Sequence, residues 1–275
     1  MKIAVAGKGG VGKTTITAWF GDYLARCAKT VWLVDADTAL SLGQACGLTR
    51  VELPEALVRR RDIIQERIRP AGSSIMDLSP QVSDLCESLS IPLPIAGPPL
   101  AAGKAGEKRL LVMGALAEAG GGCACESNAL LKALLAHLVL EREEWILVDM
   151  EAGVEHLGRG TVEHVDQLLI VSEPSLRSLE TAAEVGRMAA QLGLARQVLI
   201  FNRATPEHVE HLPNLTGLPE KRFVLPLLNA LAERQLLSAS VLGLELGARD
   251  LLDAFYQDLL HALTAENRHD GVQGS

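Results

Sequence analysis

The chain has 275 residues, of which 48% are hydrophobic and 22% are charged, a composition that excludes disorder of the whole chain. It has 26 Lys and Arg residues and 34 Asp and Glu residues, which give a formal charge of −8. This negative charge disfavours a general binder of DNA or anionic lipid. Aromatic residues make up only 3%, too few to expect stacking platforms for single-stranded nucleic acid. We therefore expect no nucleic-acid partner and no membrane partner.

The N-terminal segment and the cysteine content indicate a compartment. The segment MKIAVAGKGG has neither the apolar core nor the cleavage site of a signal peptide. The chain also has no run of roughly 18 apolar residues that would suggest a membrane-spanning helix. Five cysteines are an odd and low number for a disulfide framework. We expect a cytoplasmic protein with reduced thiols.

Short apolar runs alternate with helical patterns along the chain, which predicts a doubly wound α/β fold, a mostly parallel sheet with helices on both faces. The predicted strands cover Lys2–Ala6, Val31–Val34, Arg109–Met113, Trp145–Asp149, Gln167–Val171, Val198–Phe201 and Arg222–Leu225. The predicted helices cover Thr14–Ala28, Asn128–Glu143, Ser175–Leu192, Pro206–Leu212 and Ala248–Leu263. No linker divides the chain, so we predict one domain over residues 1–264 and a flexible polar tail over residues 265–275.

A phosphate-binding loop follows the first predicted strand. Residues 7–14 read GKGGVGKT, which matches the pattern G-x-x-x-x-G-K-[ST] between a strand and a helix. Glycines let backbone N–H groups wrap a phosphate, and the helix that follows adds its positive end. Lys13 is expected to reach the β and γ phosphates, and the Thr14 hydroxyl to ligate Mg²⁺. The predicted nucleotide contacts are Gly7, Lys8, Gly9, Gly10, Val11, Gly12, Lys13, Thr14 and Thr15.

Lys8 is a second lysine within this loop, and the basic motif does not require it. With it, the loop resembles the deviant Walker A motif of the class that contains MinD, ParA and the nitrogenase iron protein. In that class the extra lysine reaches across a dimer interface to the nucleotide of the partner. The resemblance therefore implies a nucleotide-dependent homodimer in which Lys8 and Lys13 are catalytic. A solvated lysine is the alternative for Lys8.

Three aspartates end predicted strands, at the edge where ligands bind in such sheets. Asp35 and Asp37 offer one carboxylate for Mg²⁺ through water and one for the attacking water, and the resemblance implies that Asp37 is the base. Helix capping is the alternative, above all for Asp35. Asp149 fits a Walker B pattern near Mg²⁺. Gly153 is expected to bring a backbone N–H to the γ phosphate, within a switch segment over residues 150–160.

The residues predicted to contact the base follow two later strands. Asn202, next to Arg203, offers both a donor and an acceptor, which suits the edge of an adenine. The resemblance implies that this asparagine reads adenine, and so ATP rather than GTP. It also implies that Pro226, after the next strand, packs against the base. A turn-forming asparagine is the alternative.

Two cysteines, Cys123 and Cys125, follow three glycines and precede the helix predicted from Asn128, with Ser127 as its N-cap. The end of a helix lowers thiol pKa values, and thiolates bind soft or borderline metals. One pair supplies two sulfur ligands, whereas a two-fold dimer supplies the four that a thiolate site needs. Packed thiols or a redox pair are the alternatives. The remaining features are interpreted as structural: Cys27, Cys46 and Cys86 as packing residues, and His208 and His211 as a solvated helix face.

These motifs, together with the segment DMEAGVEHLGRG at residues 149–160, resemble the CooC family of carbon monoxide dehydrogenase accessory ATPases. One departure from the wider class is Thr38, which follows Asp37 where many relatives have proline. The resemblance implies ATP-driven delivery of Ni²⁺, with Zn²⁺ competing, from the shared cysteines to the apo-enzyme of carbon monoxide dehydrogenase. An iron–sulfur carrier or reductase built on the same cysteines is one alternative. A positioning switch of the MinD type is another, which the acidic final helix disfavours.

Overall fold

The computed structural model describes residues 1–68, 77, 79–101, 103–114, 124–141, 144–151 and 165–270. Its strands form one sheet in the order β3-β4-β2-β5-β1-β6-β7-β8, in which only β3 is antiparallel to its neighbour. The predicted doubly wound, mostly parallel sheet is confirmed. The strands are β1 Lys2–Ala6, β2 Thr30–Ala36, β3 Ile91–Pro92, β4 Glu107–Val112, β5 Trp145–Met150, β6 Gln167–Ser172, β7 Gln197–Asn202 and β8 Arg222–Leu225.

The helices include all five that the sequence predicts. Four further helices have at most eight residues each, so their apolar periodicity is too weak to detect from the sequence: Leu42–Ala45, Arg61–Ile68, Ser83–Leu89 and Asn229–Gln235. The helices are α1 Lys13–Arg26, α2 Leu42–Ala45, α3 Arg61–Ile68, α4 Ser83–Leu89, α5 Ala124–Glu141, α6 Leu176–Gln191, α7 Pro206–Glu210, α8 Asn229–Gln235 and α9 Leu246–Asp270, with a 3₁₀ turn at Leu57–Arg59.

Helices cover both faces of the sheet, and side chains of each strand alternate between them. In β1, Ile3 and Val5 join the core beneath α1 and α9, whereas Ala4 and Ala6 join the core beneath α5 and α6. Because both faces are buried, the central strands are apolar throughout, which made them readable from the sequence.

The C-terminal helix α9 is longer than the sequence predicts. It begins at Leu246 and continues to Asp270, beyond the predicted end at Leu263, so its backbone covers part of the predicted tail. Residues 271–275 lie outside the described residues. The division at residue 264 stays a prediction. In the part of the chain that the structure describes, no helix has both the length and the hydropathy of a membrane span.

A buried ion pair joins α1 to the sheet. The carboxylate of Asp22 lies 2.6 Å from the Lys108 ammonium, and their side chains are only 7% and 0% exposed. The same carboxylate oxygen accepts the backbone N–H of Ala96 at 2.9 Å. Removal of one member of such a pair leaves the other charge buried and uncompensated.

We therefore expect Asp22→Ala to lower the free energy of unfolding by about 3–5 kcal/mol, because it strands the Lys108 ammonium inside the protein. Urea denaturation measures the change. Asp62→Ala is the matched control: Asp62 pairs with Arg60 at the surface and is 64% exposed, so little change is expected. Equal losses in the two variants would show that the buried pair contributes no more than the surface pair.

Candidate functional site

The predicted nucleotide residues of the described chain gather at the carboxyl edge of the sheet. Val5 of β1 and Asp35 of β2 are both register partners of Asp149 in β5, so three strands end side by side. Asn202 ends β7 at the same edge. Open parallel sheets bind their ligands at this edge, outside the ends of the strands.

The loop between β1 and α1 has a backbone that only glycine adopts readily. Gly7 and Gly12 have φ angles of 141° and 99°, in the region that favours glycine. A Cβ on Gly7 would lie 2.2 Å from the carbonyl oxygen of Val171. A Cβ added to Gly9 or Gly10, by contrast, would meet no described atom within 4 Å. The loop is thus pressed against β6 on one side and open on the other.

Lys13 lies at the base of this loop. Its side chain is 6% exposed, and its Nζ donates to the carbonyl oxygen of Lys8 at 3.4 Å. The same Nζ lies 4.0 Å from Oδ2 of Asp37. Lys8 is half-buried, and no hydrogen bond or ion pair to its ammonium occurs among the described residues. Of the two lysines predicted to be catalytic, Lys13 therefore lies near the predicted base, Asp37.

Thr14 and Asp149 form a pair suited to a hard cation. The Thr14 hydroxyl donates to Oδ2 of Asp149 at 2.6 Å. Asp149 is fully buried, and its Oδ1 has no hydrogen-bond partner in the described part of the chain. Oxygen ligands of this kind are those that Mg²⁺ prefers. The orphaned oxygen of Asp149 and the hydroxyl of Thr14 fit a magnesium ion, which these two residues would hold.

Burial raises the pKa values of the Asp149 and Asp35 carboxyls. It raises the pKa of Asp149 to about 8, against the opposing hydrogen bond from Thr14. It raises the pKa of Asp35 to about 6, although the backbone N–H groups of Leu42 and Asp37 donate to this carboxylate. A cation beside these groups favours their charged forms.

Asn202 makes a contact that sequence reasoning missed. Its Nδ2 donates to the carbonyl oxygen of Val11 in the phosphate loop at 2.8 Å, and its Oδ1 accepts the N–H of Arg203 at 3.0 Å. A Cβ on Gly12 would lie 2.5 Å from the same Nδ2. Asn202 therefore fills the space that Gly12 leaves and ties β7 to the loop. Adenine recognition by Asn202 stays a prediction.

The remaining residues predicted to contact the nucleotide lie at the same edge. Arg203 has a positive φ of 53° and forms an ion pair with Glu173. Pro226 is half-buried and directly follows β8. Thr15, in the first turn of α1, is also half-buried. These positions are compatible with the predicted contacts, which stay predictions.

The cysteine pair falls at the limit of the described chain. Cys123 and Gly153 lie outside the described residues. Helix α5 begins at Ala124, so the backbone of Cys125 belongs to its first turn, and the prediction of Ser127 as N-cap is wrong. The apolar stripe begins only at Leu130, so the polar first turn escaped the sequence pattern. Within the described ranges no cluster of three or more His, Cys, Asp or Glu side chains could hold a metal.

The predicted polar histidines bond to their own helix. Nδ1 of His208 accepts the backbone N–H of Thr205 at 3.0 Å. Nδ1 of His211 lies 2.7 Å from the carbonyl oxygen of Glu207. These contacts favour the interpretation of the two side chains as part of a solvated helix face.

The other three cysteines lead to a thiol-labelling prediction. Cys46 and Cys86 are buried, and burial raises the pKa of Cys46 to about 12, whereas Cys27 is only half-buried. The thiolate is the reactive form, so native Cys46 will not react at pH 8. We expect Cys123→Ser/Cys125→Ser to show at most one fast thiol when native and all three in denaturant. Two or more fast thiols in the native variant would contradict this burial.

Residues 2–242 match the family model described as the CobQ/CobB/MinD/ParA nucleotide binding domain. The chain belongs to this family and is a nucleotide-dependent ATPase that binds ATP and Mg²⁺. Solved structures show the same fold: a ParA family ATPase from Chlorobium tepidum TLS has a TM-score of 0.59 and 22% identity, covering 94% of this chain and 96% of that one. MinD with Mg-ADP from Pyrococcus horikoshii OT3 has a TM-score of 0.57 and 19% identity, covering 94% of each chain.

Two relatives found by sequence have higher identity to this chain than these solved structures have. The carbon monoxide dehydrogenase accessory protein CooC of Rhodospirillum rubrum is 40% identical over 214 residues, which cover 76% of this chain and 77% of that protein. An uncharacterized ATP-binding protein of Methanocaldococcus jannaschii is 38% identical over 218 residues, covering 78% and 79%. The resemblance to CooC is thereby confirmed.

Proposed function

We propose that this ATPase works as a homodimer that carries Ni²⁺ on Cys123 and Cys125 of both subunits and delivers it to the C-cluster of carbon monoxide dehydrogenase. The observation that carries the proposal is the 40% identity to a carbon monoxide dehydrogenase accessory protein, in a chain that contains a Cys-x-Cys pair. Two subunits supply 2 × 2 = 4 thiolates, a number that suits one ion, and Zn²⁺ competes for the same ligands.

In this proposal the described residues divide the work of ATP hydrolysis. The glycine-rich loop and Lys13 hold the phosphates, and Thr14 with Asp149 holds Mg²⁺, which supplies positive charge to the phosphate oxygens. Asp37 accepts a proton from the attacking water as the new bond to phosphorus forms and the bond to the ADP oxygen breaks. Lys8 acts on the nucleotide of the partner subunit.

Recognition of the base is assigned to Asn202, with Arg203 and Pro226 beside it. The contact between Asn202 and Val11 supports a connection between the base end of the site and the phosphate loop. The Asn202 amide nitrogen has two N–H groups, so one can stay on the Val11 carbonyl oxygen while the other donates to adenine. Gly153 completes the proposed site as the residue that detects the γ phosphate.

Transfer of nickel requires that the ion bind the nucleotide states of the dimer with different affinities. ATP binding closes the dimer and changes the geometry of the four thiolates. Hydrolysis, or docking to the client enzyme, then releases the ion.

Activation of the client enzyme tests the proposal. Reduced protein loaded with one Ni²⁺ per two chains is mixed with nickel-free carbon monoxide dehydrogenase, with MgATP, MgADP or no nucleotide. We expect oxidation of carbon monoxide to appear fastest with MgATP, and faster than with the same concentration of free Ni²⁺. Activation no better than that by free Ni²⁺ would refute nickel delivery.

A further inference from the structure

Two neighbouring strands end in the same acid-x-acid pattern. β2 leads into Asp35-Ala36-Asp37 and β5 into Asp149-Met150-Glu151, and the parallel register pairs Asp35 with Asp149 and Ala36 with Met150. The inner acids, Asp35 and Asp149, are buried. The outer acids, Asp37 and Glu151, lie one residue beyond the last register pair and are half-buried. The outer acids therefore flank each other at the mouth of the site.

One hydroxyl joins the outer acids. Oγ1 of Thr38 lies 3.3 Å from Oδ1 of Asp37 and 3.3 Å from Oε1 of Glu151. A threonine hydroxyl has a single hydrogen, so it donates to one carboxylate at a time. When it donates to Glu151, it ties the turn after β2 to the end of β5, 113 residues further along the chain.

The turn that contains Thr38 also orients Asp37. Oδ1 of Asp37 accepts the backbone N–H of Ala39 at 2.9 Å, which closes the turn around Thr38. The other oxygen, Oδ2, lies 4.0 Å from Nζ of Lys13. A group that holds Thr38 in place therefore also fixes the direction of the Asp37 carboxylate.

We propose that Glu151 is a positioning residue for ATP hydrolysis. It accepts the hydrogen bond of Thr38, and so holds the turn at which Asp37 faces Lys13. The inference rests on the proposed role of Asp37 as the base. Loss of one hydrogen bond to a charged group corresponds to about a tenfold lower rate. Because this contact positions the base, we expect the loss in the rate of the chemical step rather than in nucleotide binding.

Four single variants and one double variant test this contact by steady-state ATP hydrolysis and ADP binding. Glu151→Ala and Thr38→Val remove the acceptor and the hydroxyl, and we expect each to lower kcat about tenfold with KM and the Kd of ADP within about twofold. Glu151→Gln and Thr38→Ser keep an acceptor and a hydroxyl, so they retain most of kcat. We expect the kcat of the double variant Glu151→Ala/Thr38→Val to be no lower than that of either single variant, because both substitutions break the same contact.

A wild-type kcat in Glu151→Ala would overturn the inference, as would losses that multiply in the double variant. Equal losses in Glu151→Gln and Glu151→Ala would also overturn it, because they would show that charge rather than hydrogen bonding matters. If Glu151→Ala does not fold, Thr38→Val at its exposed position decides the outcome. The variant Asp37→Asn tests the proposed base separately from the proposed positioning role of Glu151. Full activity there refutes the proposed base, whereas an inactive Asp37→Asn beside a fully active Glu151→Ala refutes only the positioning role.

Discussion

Replacement of Lys13 by alanine is expected to abolish ATP hydrolysis and to weaken nucleotide binding by about a hundredfold, since charge-assisted hydrogen bonds to phosphate are among the strongest polar contacts. The side chain is 6% exposed and lies at the base of the phosphate loop, where it contacts the carbonyl oxygen of Lys8. Phosphate release measures the rate, and titration calorimetry with ADP and Mg²⁺ measures the affinity.

Lys29→Ala is the matched control for this experiment. Lys29 is exposed and lies in the turn before β2, at the edge of the sheet opposite the nucleotide site. Its replacement is expected to leave both the rate and the affinity unchanged. If Lys13→Ala hydrolysed ATP within about twofold of the control, the assignment of this loop as the phosphate site would be wrong.

The second large effect is expected at the cysteine pair. The double variant Cys123→Ala/Cys125→Ala is predicted to lose at least about a hundredfold in Ni²⁺ affinity, because thiolates supply the ligand bonds in the proposed site. Binding of ADP is expected to stay within about twofold, since the phosphate loop is unaltered. Titration of reduced protein with Ni²⁺, with and without MgATP, measures the first effect.

Cys27→Ala provides the control for the nickel titration. Cys27 is half-buried and lies outside the pair, with a pKa raised by burial, so its removal is expected to leave Ni²⁺ affinity unchanged. Tight nickel binding that survives the double variant would move the metal site elsewhere. Acid-labile sulfide with broad visible absorption in anaerobically prepared protein would instead favour an iron–sulfur carrier.

The sheet and the phosphate loop were predictable because their signals are local. Strands buried on both faces are apolar throughout, and the glycines and lysines of residues 7–14 follow one another directly in the sequence. The two-residue strand β3 was not predictable, because so short a segment carries no periodicity. The early start of α5 escaped for a related reason, since its first turn is polar.

The contacts that organise the site depend on register rather than on local pattern. Asn202 reaches Val11 across 191 residues, and Glu151 reaches Thr38 across 113. Both contacts follow from the order of the strands in the sheet and from their alignment, which no local pattern specifies. The sequence did predict Asn202 as a site residue, but for the base rather than for the loop. Glu151 was visible only as part of the motif after β5.

The number of nickel ions bound per chain decides whether two subunits share one metal site. Native mass spectrometry of the reduced full chain, mixed with Ni²⁺ and MgATP, counts ions and chains in the same species. We expect one Ni²⁺ on a species of two chains, and we expect this species to be absent from Cys123→Ala/Cys125→Ala. One Ni²⁺ on each single chain, or the same nickel-bound dimer in the double variant, would contradict it.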